Sequence, residues 1–117
     1  MEPDLRDSWR LTYHRLAAEK IRGNPALLGE VASRLALMRV EATHAAASDA
    51  VAVWQQALDI GMDAILALAT EETGRATALR ERSPFIGCLS QEERAESLKP
   101  YLGQNLPGNP GWQRKLQ

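Results

Sequence analysis

The chain has 117 residues, 44% of them apolar and 25% charged, which suits one globular domain and excludes a chain disordered throughout. Its 14 Lys+Arg stand against 15 Asp+Glu for a net charge of −1, so no overall basic excess draws it to nucleic acid. One cysteine, Cys88, and two histidines exclude an internal disulfide framework and supply too few ligands for a structural zinc site.

Alanine and leucine dominate, and no segment alternates apolar and polar for long enough to suggest a sheet. The spacing therefore predicts an all-α fold of five or six helices in a compact orthogonal or bundle-like array. The first helix runs from about Leu5 to Arg22, with Leu5, Trp9, Thr12, Tyr13 and Leu16 on one side. Gly23-Asn24-Pro25 ends it and starts the next: Gly23 suits a left-handed C′ position, Asn24 an N-cap and Pro25 the first helical turn. The second helix is expected from Pro25 to about Ala46, with a 3.5-residue seam of Leu28, Val31, Leu35, Met38, Ala42 and Ala45. Ser48 or Asp49 then caps a third helix, in which Val51, Trp54 and Leu58 share a face.

Gly61 weakens a helix by about 1 kcal/mol relative to alanine, so a break is expected there. A short fourth helix, about Met62 to Ala69, is apolar nearly all round and should be the most buried element. Thr70 to Gly74 reads as a turn, and a short helix from about Arg75 to Glu81 follows until Pro84 disfavours helical geometry at Ser83. Ser90-Gln91-Glu92-Glu93 has the capping-box form and opens a last helix to about Lys99. Residues 1–102 thus form the expected domain. Residues 103–117, with three glycines and two prolines, are expected as a mobile or partner-ordered tail. The expected core draws on Trp9, Leu16, Leu28, Val31, Leu35, Met38, Trp54, Leu58, Ile65, Leu66, Leu68, Leu79, Phe85 and Leu98.

No apolar run approaches the roughly 18–20 residues that span a bilayer. The acidic start Met1-Glu2-Pro3-Asp4 lacks the basic-then-greasy pattern of a signal peptide. A cytoplasmic protein is the expectation.

The sequence offers little catalytic equipment. His14 and His44 lie on different helices, no HExxH or CxxC element exists, and a His–Ser or His–Cys pair would have to arise from tertiary structure. Ser83 precedes a proline and lacks the glycines of a nucleophile elbow. Cys88 reads as a small buried hydrophobe, and Glu71-Glu72 and Glu92-Glu93 as helix-start residues. Glycines occur singly, so nothing cradles a phosphate. The chain is accordingly read as a non-enzyme without cofactor or metal. A helix-turn-helix fits poorly over residues 24–46, where Arg34 and Arg39 face Glu30 and Glu41.

Two stretches stand out as candidate partner contacts. In Arg75 to Phe85 three arginines, Arg75, Arg80 and Arg82, flank a turn bearing the only phenylalanine. Either Leu79, Phe85 and Ile86 anchor this turn while the arginines cap carbonyls or lie in water, or the arginines meet an anionic partner. Trp9, Tyr13 and His14 on the first helix are either core or interface anchors. Residues 50–74 carry Asp59, Asp63, Glu71 and Glu72 and no Lys or Arg, a solvated surface or an acidic face for a basic partner.

The runs His14-Arg15-Leu16-Ala17-Ala18-Glu19-Lys20-Ile21-Arg22, Asn24-Pro25-Ala26-Leu27-Leu28, Arg75-Ala76-Thr77-Ala78-Leu79-Arg80, Ser83-Pro84-Phe85, Leu89-Ser90 and Glu92-Glu93-Arg94 resemble small bacterial helical proteins encoded beside a second gene, as in toxin–antitoxin pairs. The resemblance spans about residues 12–28 and 62–99. The Ala45–Ala47 run and the Pro/Gly-rich end depart from it. It implies an antitoxin-like inhibitor that neutralises a toxic enzyme encoded nearby by binding it, without naming that enzyme. A nucleotide-using toxin, a zeta-type kinase or a nucleotidyltransferase, is an open choice. A DNA-binding regulator or small helical enzyme is the alternative, and homo-oligomerisation is left open.

Overall fold

The computed structural model describes residues 5–101 and places six α-helices and no strand among them. They are α1 (Leu5–Gly23), α2 (Leu28–Glu41), α3 (Ala45–Ile60), α4 (Met62–Ala69), α5 (Gly74–Arg80) and α6 (Gln91–Leu98), with 3₁₀ turns at Pro25–Leu27 and Lys99–Tyr101. The expected tail, residues 103–117, lies outside the described residues. No described helix is long and apolar enough to cross a membrane.

The helix punctuation follows local chemistry, with four corrections. Gly23 does not adopt a left-handed cap: it is the last residue of α1, and only Gly61 and Gly87 among the described residues have positive φ. Asn24 makes no side-chain capping bond; its backbone N–H closes the end of α1 on the carbonyls of Lys20 and Ile21. The seam expected over residues 25–46 is cut at both ends. Pro25–Leu27 winds as a 3₁₀ turn, and α2 stops at Glu41, where Ala42 turns extended. His44, rather than Ser48 or Asp49, caps α3, its Nδ1 accepting the Ala47 N–H at 3.3 Å.

Gly61 breaks the chain as expected. Its φ of 147° ends α3 and starts α4 at a single residue, a conformation that an L side chain strains to adopt. Thr73 caps α5 through the Ala76 N–H, and Ser90 and Glu93 form the capping box of α6.

Helix α1 is the central strut, packing against α4, α5 and α6, while α3 joins α4 and α2 on the far side. Its buried stripe is Tyr13, His14, Ala17, Ala18 and Ile21, one position off the stripe the periodicity suggests. Two of its five residues, Ala17 and Ala18, are small, and both are fully buried. Trp9 and Leu16 are half-buried beside it.

The expected Val31, Leu35, Trp54, Ile65, Leu66, Leu68, Leu79 and Phe85 are buried. Leu28, Met38 and Leu58 pack against the core from its edge, and Leu98 is half-buried. Short α4 buries Ile65, Leu66, Leu68 and Ala69, in keeping with its all-round apolar character.

Candidate functional site

The connection from α5 to α6, residues 81–90, has no regular secondary structure, and core groups satisfy much of its backbone. Trp54 Nε1 donates to the Arg82 carbonyl at 2.9 Å. Tyr13 Oη donates to the Phe85 carbonyl at 3.1 Å and accepts the Gly87 N–H at 3.2 Å. Lys20 Nζ donates to the Cys88 carbonyl at 2.9 Å and to Glu93 Oε1 at 2.6 Å, tying the loop to the start of α6. Phe85 lies beneath the loop with its ring edge-on to both His14 and Trp54, at centroid distances of 5.5 and 5.6 Å. Such a loop is pre-organised, since buried carbonyls and N–H groups have their partners in place.

At the loop's root His14 and Ser83, each 3% exposed, are joined by a 2.6 Å contact between Nε2 and Oγ. His14 Nδ1 lies 2.6 Å from the Arg10 carbonyl. A carbonyl only accepts, so Nδ1 carries the proton and Nε2 is the acceptor for the Ser83 hydroxyl. Ser83 Oγ in turn accepts the Phe85 N–H at 3.0 Å. Burial, joined by the nearby charges of Arg80 and Arg10 and opposed by the Arg10 carbonyl, lowers the His14 pKa to about 4. The imidazole is therefore neutral at neutral pH. The tertiary fold thus creates the His–Ser pair that no spacing in the sequence announces.

The three arginines do not form one patch. Arg75 is exposed on α5 and faces Glu71 at 3.7 Å. Arg82 is exposed and borders a hollow with Met38 and Glu41, where α2 meets α3. Arg80 turns inward and is 5% exposed. Its Nη1 donates to the Ala69 and Glu71 carbonyls at 3.1 and 2.8 Å, and its Nη2 to Thr77 Oγ1 at 3.3 Å. It closes the C-terminus of α4, whose last carbonyls lack partners within the helix. Burial pulls its pKa below the ordinary value, the nearby Asp7 carboxylate opposing the shift.

Arg80, Phe85, Tyr13 and His14, expected as contacts offered to a partner, are thus buried within the fold. Trp9 keeps an edge at the surface, its Nε1 donating to Ser97 Oγ at 2.9 Å. Ile86, expected as an anchor, is instead 53% exposed at the crest of the loop. The turn around it shows why: the Cys88 N–H closes on the Phe85 carbonyl at 3.1 Å, and Gly87 takes φ 97° within that turn. The chain reverses at Ile86-Gly87, and the inward position goes to Phe85 and Cys88.

An open groove of about 540 Å³ runs beside this crest, lined along α2 by Gly29, Ser33, Arg34 and Leu37 and across the loop by Ile86 and Cys88. Leu37 is 48% exposed. Cys88 is buried, as the sequence suggests, and burial pushes its thiol pKa up to about 11.

The acidic segment divides in two. Asp59 and Asp63 are exposed around Gly61, whereas Glu72 pairs with Arg15 at 3.3 Å and Glu71 faces Arg75. Comparison with protein-family models, with curated proteins and with solved structures finds no match to the chain.

Proposed function

We propose that the chain is a protein-binding module, an antitoxin-like inhibitor that neutralises a partner enzyme by covering it. The observation that carries this reading is Ile86, a large apolar side chain held outward on a loop that core groups fasten from beneath. Exposed apolar residues scattered singly are ordinary, but here Leu37 lines the same groove, and contiguous apolar exposure favours a protein interface. A loop fixed before contact loses little conformational entropy on binding.

Glu30 and Arg34 supply the charges of the groove, whereas Arg80 and Phe85 are buried within the fold. The test is co-expression with the neighbouring gene. That product should be toxic alone, harmless with this chain, and recovered with it at fixed stoichiometry. Ile86→Asp should release it while leaving the helical circular dichroism intact. A harmless neighbour that forms no complex overturns the proposal.

The His14–Ser83 pair favours a second reading, a small hydrolytic enzyme with Ser83 as nucleophile and His14 as base. It carries less weight because both groups are sealed from solvent. A fluorophosphonate probe that labels Ser83 in the wild type, but not in Ser83→Ala, would establish it.

A further inference from the structure

Ile86 also lines a second hollow, a half-open cleft of about 240 Å³ between α1, the end of α5 and α6. Its apolar wall is made by Trp9, Tyr13 and Ile86. Its cations are Arg10, Arg80 and Arg94. Arg10 is held by Asp7 at 3.0 Å, but no carboxylate among the described residues pairs with Arg94. Arg80 contributes the one buried side-chain polar atom among the described residues without a partner, its Nε. Glu81 is the single carboxylate of the lining, and His14 beside it is neutral. The cleft is therefore apolar on one side and carries excess positive charge on the other.

Its volume is below the roughly 300–1,000 Å³ of sites that enclose a whole small molecule, which suits a single side chain. We infer that the cleft receives one aromatic or large aliphatic side chain of a partner protein, with an adjacent acidic residue of that partner reaching the Arg94 guanidinium. This inference rests on the reading of the chain as a protein-binding module and specifies the chemistry the partner presents. Ile86 then serves two faces of one interface, as the ridge between the groove and the cleft. The buried apolar side chain supplies affinity, and the carboxylate at the rim supplies selection among partners.

The test uses the full chain and three blocked dipeptides, acetyl-Phe-Asp-amide, acetyl-Phe-Asn-amide and acetyl-Ala-Asp-amide, followed by the indole N–H resonances of Trp9 and Trp54. Acetyl-Phe-Asp-amide should shift the Trp9 resonance in a saturable way and leave that of fully buried Trp54 in place. The Asn peptide should bind about fivefold more weakly, the size expected for one partly exposed charge pair, and the Ala peptide should leave Trp9 unmoved. Arg94→Gln, an exposed change on α6, should abolish the preference for Asp over Asn while the amide spectrum stays dispersed. Equal binding of the Asp and Asn peptides, an unmoved Trp9, or a preference that survives Arg94→Gln overturns the inference. A partner that still co-purifies with the chain when the dipeptides fail would leave the binding-module reading standing and reject the cleft alone.

Discussion

His14 Nε2 accepts the Ser83 hydroxyl at 2.6 Å across 69 residues of chain, while its Nδ1 holds the Arg10 carbonyl. Helix α1 is thereby locked to the loop that follows α5 through one imidazole that must be neutral to fit. Protonation would place a proton on Nε2 and a buried charge beside Arg80 and Arg10.

A pH dependence of stability follows, with a definite sign. The folded pKa of about 4 lies below the ordinary 6.5, so between these values the unfolded chain binds the proton and the folded one does not. The contribution is complete above about pH 6.5 and is lost as pH falls towards 4. Its size is about 3 kcal/mol, at 1.36 kcal/mol per pKa unit. Chemical unfolding of the wild type and of His14→Gln at pH 7, 5.5 and 4.5 should show the wild type losing stability faster on acidification. Parallel curves for the two proteins would show that another group governs this window.

Arg80 should prove structural. Its guanidinium serves the carbonyls of Ala69 and Glu71 from a buried position, and removing it leaves those acceptors without partners. Arg80→Ala should cost about 2–3 kcal/mol, and Arg80→Glu should abolish the cooperative unfolding transition by setting a carboxylate against carbonyl oxygens. Arg75→Ala, on the surface of the same helix, should change stability by less than about 0.5 kcal/mol. An Arg80→Glu variant of native stability would contradict this account.

The legibility of the chain differs between its local and its long-range features. The break at Gly61, the extent of α4 and the capping box at Ser90 depend on neighbouring residues alone, and the sequence displays them. The direction of Arg80 does not: its acceptors lie nine and eleven residues away, across a turn whose path no pattern specifies. Ile86 and Phe85 are adjacent apolar residues, and only the positive φ at Gly87 and the Tyr13 and Trp54 bonds to the loop decide which one faces the core. The Ser83–His14 pair was similarly hidden, since each residue alone lacks a motif. The stripe of α1 is displaced because Ala17 and Ala18 carry little hydrophobic signal, yet both are fully buried.

Phe85 should be the most costly truncation in the loop. The ring is fully buried between His14 and Trp54, and Phe85→Ala should destabilise by about 3–5 kcal/mol through lost burial and the cavity left behind. Ile86→Ala, one residue on but exposed, should cost less than about 1 kcal/mol. Denaturant midpoints for the two variants, compared at equal slope, measure the difference. Equal losses would mean that Ile86 packs inward in solution.

Cys88 offers a check on how tightly the loop is closed. Its buried thiol has a pKa of about 11, so at pH 8 about one molecule in a thousand carries the thiolate, against roughly one in four for an ordinary cysteine. A disulfide-exchange reagent at pH 8 should therefore modify the native protein far more slowly than the protein in denaturant. Lys20 holds the Cys88 carbonyl and Glu93 together, and Lys20→Met removes both bonds and the cation. Labelling should accelerate in this variant, because the loop end opens more often even as the lost positive charge disfavours the thiolate. An unchanged rate in Lys20→Met would show that the loop is closed by Tyr13 and Trp54 alone.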